Sequence, residues 1–362
     1  MELKEMGEFA LIKHLTRKMR SYDGSVFLGI GDDAASFRVA AGRYLVVTCD
    51  MLVEGHHFRR VWTTAEQLGH KALAVSLSDI AAMGGVPRYA LISAGWPSDV
   101  NLDYAEGIYR GIRELAEAYG VFIIGGDTVG APQLILDVTV IGEMEAEPVT
   151  RSGALPGHVF AVMGSLGASA AGLALLQARG PENGNLPKSG LSLGKEPSPK
   201  QLPAAAWAQT LIGAHLLPQP RVREAAALLK TVRPSAMIDI SDGLASEIHH
   251  ICEGSTVGAE IDIHSLPVHQ NTKRAGETLG RDYLEWVLYG GEDYELLVTL
   301  PPGDVPAVQK VLGDYGTSFT VIGRVVAREK GIKLLKGDGK TEDLNKQGYD
   351  HFSAKPPLCR MK

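Results

Sequence analysis

Short apolar or alternating runs at 25–28, 44–48, 89–94, 121–124 and 134–142 carry the period of strands. Between them, 8–20, 65–83 and 102–119 repeat their apolar residues at three and four, the period of a helix with one buried face. A polar joint marked by a proline, Glu-Met-Glu-Ala-Glu-Pro at 143–148, then interrupts the pattern. A second set follows, with predicted strands at 159–163, 236–240, 258–262, 295–299 and 320–325 and helices at 168–178, 221–229, 244–252 and 305–312. The chain reads as α/β with mixed sheets in two domains, 1–148 and 149–362. Residues 180–203 are rich in Gly, Pro, Ser and Lys without an apolar period, and read as a surface loop or disordered insertion. The longest uncharged run, Val159 to Leu176, is broken by Gly164, Gly167 and Gly172. It predicts a strand, a turn and a helix, not a membrane span.

The length of 362 residues agrees with two domains. With 36 Lys and Arg against 42 Asp and Glu, the net charge of −6 excludes a basic nucleic-acid binder. Cys49, Cys252 and Cys359 lie far apart and form no Cys-x-x-Cys pair, which excludes a disulfide framework or zinc knuckle and fits a reducing, cytoplasmic setting. The first residues mix charges among apolar ones, so no signal-peptide core is expected. Glycine is the outlier at 42 residues, a content that predicts tight turns and close backbone approaches of the kind found around phosphates and metals.

The chemistry lies in Asp residues set in Gly-rich segments at strand ends: Gly29-Ile-Gly-Asp-Asp-Ala-Ala35, Thr48-Cys-Asp50, Ser78-Asp79, Gly125-Gly-Asp-Thr128, Asp239-Ile-Ser-Asp-Gly243 and Gly290-Gly-Glu-Asp293. Each alone is ordinary turn chemistry. Six in one chain are not, because gathered acids repel unless a cation joins them, and oxygen donors without thiolates suit Mg²⁺. Within the helix predicted at 65–83, Leu68, Ala72, Val75 and Asp79 follow a 4-3-4 spacing, so Asp79 sits on an apolar face. An unpaired acid there costs several kcal/mol or takes up a proton. A metal removes that cost; pairing with Lys71 is the alternative. Gly29 to Ala34 imitates a dinucleotide fingerprint, but its two carboxylates and the non-helical sequence after it oppose a bare pyrophosphate site, and no P-loop is present. His56 and His57 read as partly buried histidines or ligands, and His249 and His250 as structural. Asp242 reads as a ligand or as a cap for the following helix, and Arg151 as a solvent-facing or phosphate-holding residue.

In this order the motifs resemble the thiamine-monophosphate kinase family, in the superfamily that includes aminoimidazole ribonucleotide synthetase. Further motifs carry the likeness: Asp50-Met-Leu-Val-Glu-Gly-His-His-Phe58, Lys71 to Gly84, Thr150-Arg-Ser-Gly-Ala154 and Gly290-Gly-Glu-Asp-Tyr-Glu-Leu296. The resemblance implies ATP-dependent phosphorylation of thiamine monophosphate to thiamine diphosphate with several Mg²⁺ ions, K⁺ as a candidate monovalent ion, and no acid or base catalyst from the protein. It implies a homodimer whose N-terminal sheets join in a barrel, the 1–148 domain carrying ATP and Mg²⁺. Carried over position by position, Asp33, Thr48, Cys49, Asp50, Asp79, Asp127, Asp239 and Asp242 fall on metal positions, with Asp32 adjacent. Tyr109, Gly126, Asp127, Arg151 and Ser241 fall on ATP positions, and His57, Glu292 and Tyr349 on positions that hold thiamine monophosphate. Cys49 departs from the hydroxyl usual in the family; sulfur suits Mg²⁺ poorly, which leaves only its carbonyl as a ligand. The competing class is a hydrogenase-maturation or selenophosphate-type synthetase on the same scaffold. It is disfavoured because those relatives use an N-terminal Gly-rich or Cys-bearing segment, where this chain begins with a charged helix.

Overall fold

The alternation in the third strand sets the architecture. In the computed structural model, which describes residues 25–29, 31–40, 42–179, 205–337 and 339–349, strand β3 (Arg43–Val53) turns Tyr44, Val46, Thr48, Asp50 and Leu52 inward and Cys49 and Met51 outward. β3 is central to a six-stranded sheet with β1 (Val26–Leu28), β2 (Ala35–Ala40), β4 (Val86–Trp96), β5 (Phe122–Gly130) and β6 (Ile135–Met144), in the order β1-β2-β3-β6-β4-β5. All neighbours are antiparallel except β4 and β5. Among the described residues this sheet is open, with β1 and β5 at its edges, so the single chain forms no closed barrel.

Helix α1 (Ala65–Ala82) covers the inner face. It opens with a capping box: Gln67 N–H donates to Thr64 Oγ1 at 3.2 Å and Thr64 N–H to Gln67 Oε1 at 3.0 Å. Helix α2 (Leu102–Tyr119) crosses α1 at backbone contact. A Cβ on Gly69 would lie 1.9 Å from the Ile108 carbonyl oxygen, and one on Gly111 2.0 Å from that of Glu66, so both positions require glycine.

The second sheet runs β13-β12-β9-β11-β7-β10-β8, comprising β7 (Val159–Met163), β8 (Ala236–Asp239), β9 (Val257–Asp262), β10 (Leu296–Leu300), β11 (Phe319–Ala327), β12 (Ile332–Leu335) and β13 (Thr341–Asp343). It too is mixed, parallel only between β12 and β9. Helices α3 (Ala168–Arg179), α4 (Ala206–Leu216), α5 (Val222–Thr231), α6 (Leu244–Ser255), α7 (Gln270–Leu279), α8 (Tyr283–Tyr289) and α9 (Val305–Gly313) flank it. β10 is buried at every position, as a strand covered on both faces must be. One apolar cluster runs from the first sheet through α1 to Met163, Met237, Leu296 and Val298 of the second, which leaves α1 packed between the sheets.

Strands and helices thus occur where the periodicity placed them, within a few residues. Missed were β2, α4, α7, α8, β12 and β13. Residues 164–167 form the expected turn between β7 and α3. No described helix is long and apolar enough to cross a membrane. The helix expected at 8–20 and the insertion at 180–203 lie outside the described residues.

Candidate active site

Three carboxylates from distant parts of the chain meet at the buried side of β3. Ligand oxygens of Asp33, before β2, Asp79, in the last turn of α1, and Asp239, at the end of β8, all lie within 4.8 Å of one another. Asp50 and Thr48 face the same space from β3, with Thr48 Oγ1 donating to Asp79 at 2.5 Å. Two α1 serines complete the setting: Ser76 Oγ donates to Asp50 at 2.9 Å and Ser78 Oγ to Asp239 at 2.6 Å. Asp79 does not pair with Lys71, whose ammonium lies 2.9 Å from Glu292 Oε1.

So many acids in a dry place cannot all stay ionised. At about 4 Å and an effective dielectric near 20, each pair of unit charges repels by roughly 4 kcal/mol. Burial lifts Asp33 to about 8; Arg151 opposes the rise, and Asp239 and Asp32 add to it. Asp239 rises to about 7, chiefly by burial. Asp79 is pushed well above its ordinary 3.8 by burial and by the charges of Asp50, Asp239 and Asp33, and burial raises Asp50 as well. Asp33 Oδ2 is buried without a hydrogen-bond partner. An all-oxygen cluster with excess acceptors and an unsatisfied oxygen fits a hard divalent cation such as Mg²⁺. Arg151 is the cation present: its guanidinium binds Asp33 and lies 3.3 Å from Asp32. It therefore faces carboxylates, not solvent.

The cluster opens into a cavity of about 680 Å³ between the sheets, whose lining includes Asp50, Asp79, His57, Ser241, Asp242, Glu292 and Tyr349. Local geometry explains how they converge. Val53 N–H donates to His57 Nδ1 at 2.9 Å, which leaves Nε2 to carry the proton of a neutral ring. Tyr349 N–H donates to the Asp242 carbonyl at 3.1 Å, and Glu292 N–H to the Ser241 carbonyl at 2.7 Å. Asp242 does not cap α6, whose N-cap is Gly243 with no side-chain cap. His249 serves structure, its Nε2 lying 2.7 Å from the Leu344 carbonyl. Asp293 accepts from the Gly167 and Ser169 N–H groups at 2.6 and 3.1 Å, anchoring the start of α3.

Other expected residues turn away from this cavity or lie outside it. Cys49 borders the cavity, but its side chain is on the outer face of β3, the thiol 3.3 Å from Asp137 Oδ1. Tyr109 is on the outer side of α2, 39% exposed, and Gly126 and Asp127 are on the exposed edge strand β5. Gly126 is demanded by the backbone, since a Cβ would lie 1.8 Å from the Ile92 carbonyl oxygen. Asp127 and Asp137 line a separate hollow of about 310 Å³ that shares Met51 with the main cavity.

The descriptions "AIR synthase related protein, N-terminal domain" and "C-terminal domain" match residues 31–144 and 156–335. Thiamine-monophosphate kinase of Bacillus subtilis is 37% identical over 349 residues, covering 96% of this chain and all of that protein. Its counterpart in Escherichia coli K12 is 37% identical over 348 residues, covering 96% and 98%. The chain belongs to the thiamine-monophosphate kinase family. It is an enzyme of that class, a thiamine-phosphate kinase. Among solved structures, AaThiL complexed with AMPPCP and TMP superposes with a TM-score of 0.79 at 33% identity, covering 97% of this chain and 99% of that one. A HypE-HypF complex, TM-score 0.67 at 18% identity, shares the fold alone.

In the sequence of this thiamine-phosphate kinase Ser76, His215 and Glu247 did not stand out, Ser78 appeared only as the neighbour of Asp79, and Lys71 only as a partner for Asp79. The serines had a signal: two hydroxyls in the otherwise apolar run 72–78 of α1, both fully buried in the fold. Glu247, whose Oε1 accepts the Asp242 N–H at 3.1 Å, is one turn into α6 and reads as an ordinary helix acid.

Proposed function

We propose that the chain transfers the terminal phosphoryl group of ATP to thiamine monophosphate, giving thiamine diphosphate and ADP. The observation carrying this reading is the polarity of one cavity. Along α1, Lys71, Val75 and Asp79 share a face; eight residues at 1.5 Å rise separate its ends by roughly 12 Å. Acids gather at the Asp79 end, while Glu292 takes the Lys71 end with His57 nearby. Thiamine monophosphate has matching polarity, with a phosphate at one end and an aminopyrimidine at the other. Incubation with ATP, Mg²⁺ and thiamine monophosphate should yield thiamine diphosphate; its absence refutes the reading.

In this reading Asp33, Asp50, Asp79, Asp239 and Asp242, with Thr48, the Cys49 carbonyl and Asp127, hold several Mg²⁺ ions, and K⁺ is a further candidate. Bound Mg²⁺ neutralises the phosphates and aligns the reacting oxygens. Arg151, Ser241, Tyr109, Gly126 and Asp127 bind ATP. His57, Glu292 and Tyr349 hold the acceptor. The 1–148 unit carries most metal and ATP contacts, and 149–362 closes over the acceptor. The enzyme is cytoplasmic and homodimeric, two N-terminal sheets joining in a barrel. Supporting a paired edge, β5 exposes Phe122 at 67% and Val129 at 55% along an unpaired strand side.

Transfer is direct and in line. A phosphate monoester with a second pKa near 6 is already mostly a dianion at neutral pH, so no base is needed. The hydrogen-bonded Ser169 and His215 do not supply a nucleophile, because both are buried outside the cavity lining. The rate should rise as the acceptor loses its second proton and then flatten, with inversion at phosphorus. Ping-pong kinetics or a phosphorylated residue would overturn this.

His57→Ala and Tyr349→Phe should raise KM for thiamine monophosphate by up to about tenfold, one hydrogen bond's worth, with KM for ATP changed less than twofold. Equal effects on both substrates reassign these residues to structure.

A further inference from the structure

We infer that Lys71 and His215 are positioning residues that grip the two oxygens of Glu292 from behind and present its carboxylate to the acceptor as a fixed anion. The inference rests on the thiamine monophosphate reading above and adds to it two residues that lie behind the cavity wall.

The geometry is a clamp built from three separate parts of the chain. Lys71 Nζ, from α1, lies 2.9 Å from Glu292 Oε1, and His215 Nδ1, from the last turn of α4, lies 3.1 Å from Oε2. The Lys71 and His215 side chains are 3% and 2% exposed, whereas Glu292 is 23% exposed and lines the main cavity. The wet end of this network is therefore the carboxylate. The Lys71 ammonium makes no hydrogen bond of good geometry, so its contact with Glu292 is an attraction of charges. Burial and the neighbouring Lys71 hold the His215 pKa below its ordinary value, which keeps the ring neutral. His215 Nδ1 lies between Oε2, at 3.1 Å, and Ser169 Oγ, at 3.0 Å; a carboxylate only accepts, so the contact with Oε2 calls for the imidazole proton on Nδ1, with Ser169 Oγ beside it able to accept as well. Burial alone would push Glu292 up, but Lys71 and His215 outweigh it and hold the carboxyl well below the usual range.

The backbone is constrained as well. Glu292 has φ of 65°, in the left-handed region that a residue with a side chain rarely adopts, and its N–H is tied to the Ser241 carbonyl. A buried ion pair is a weak device for stability, since apolar residues often serve as well. Strain and desolvated charge converging on one side chain at a cavity wall point instead to preorganisation. An acceptor-only anion fixed there takes a hydrogen-bond donor or a cation and repels a ligand that offers an acceptor. The amino group and the thiazolium cation of thiamine satisfy the first condition. Replacing that amino group by oxygen creates the second case.

The test is a double-mutant cycle on the full chain, reading kcat, both KM values and direct binding of thiamine monophosphate without ATP. Lys71→Met should raise KM for thiamine monophosphate at least tenfold while KM for ATP stays within twofold, and Lys71→Arg should recover most of the loss. His215→Leu should raise the same KM about threefold. In a Glu292→Gln background, where no lone carboxylate is left buried, adding Lys71→Met should change KM less than twofold. That arm decides the matter even if Lys71→Met alone fails to fold. The acceptor in which oxygen replaces the pyrimidine amino group should bind wild type at least tenfold more weakly and Glu292→Gln nearly as well as the amino form if the amino group is the partner. A loss confined to thiazolium-free analogues assigns the cation instead. A full effect of Lys71→Met in the Glu292→Gln background, equal losses for ATP, or an active wild type whose Glu292→Gln variant keeps normal KM would each overturn this inference alone. A wild type that makes no thiamine diphosphate overturns the proposed function with it.

Discussion

Asp79→Asn should cut turnover at least about 100-fold and yet leave a folded protein that is more stable without metal. Both halves follow from the same contacts. Asp79 shares its space with Asp33 and Asp239, and the charges of Asp50, Asp239 and Asp33 all act to protonate it. An amide keeps the hydrogen bond from Thr48 Oγ1 and is neutral without having to take up a proton on folding, so the metal-free melting temperature at neutral pH should rise. The same amide carries no full charge to balance Mg²⁺ beside a triphosphate. Changing groups that merely support metal ligands costs 10–100-fold, so a ligand shared by the cluster sets that range as a lower bound. Asp50→Asn, whose carboxylate is held by Ser76, should behave alike. Mg²⁺ titration of activity beside thermal melting with and without chelator reads both effects. A variant with normal Mg²⁺ dependence and turnover is not part of a shared metal site.

What the sequence disclosed was what short-range pattern encodes. Strand β3 and helix α1 announce themselves by alternation and by a 4-3-4 stripe, and the Asp-Gly segments that follow strands mark their own turns. Helix α8 has only seven residues, and α7 buries just Thr272, Ala275 and Gly276, too small an apolar face to stand out among polar neighbours. Strand β2 was hidden because Ala35–Ala40 mixes Ser and Arg with its apolar residues, and only pairing with β3 decides it. Within the site, Asp79 was legible because an acid on an apolar stripe is costly at its own position. The grip of Lys71 and His215 on Glu292 was not, since residues 71, 215 and 292 meet only through packing of α1 and α4 beside the 290–295 loop. Periodicity also makes α1 amphipathic on paper, whereas in the fold it is buried nearly all round, between two sheets. Burial on both sides is the reason its hydroxyls and carboxylate turn toward the site instead of solvent.

Metal-free protein should lose stability on going from pH 6 to pH 8, and saturating Mg²⁺ should remove most of that loss. The sign follows from proton counting. Asp33, ordinarily at 3.8, stands at about 8 in the fold, and Asp239 at about 7. Above pH 4 the unfolded chain has released these protons while the folded chain keeps them. Stability from this source is complete below 3.8 and drains away as pH rises through 7 and then 8. Linkage at about 1.4 kcal/mol per unit makes the loss between pH 6 and 8 roughly 2–4 kcal/mol. Arg151 offsets part of the repulsion, binding Asp33 and Asp32 and acting on Asp239 as well, but its one charge is too little for the gathered carboxylates of Asp33, Asp79, Asp50 and Asp239. A divalent cation binds the deprotonated cluster, so folding no longer depends on retained protons and mass action favours the folded form more at high pH. Thermal melts of chelator-treated protein at pH 6, 7 and 8, with and without Mg²⁺, measure this directly. Equal stability at pH 6 and 8 without metal, or an unchanged slope at saturating Mg²⁺, would show that the cluster neither stores protons nor exchanges them for the ion.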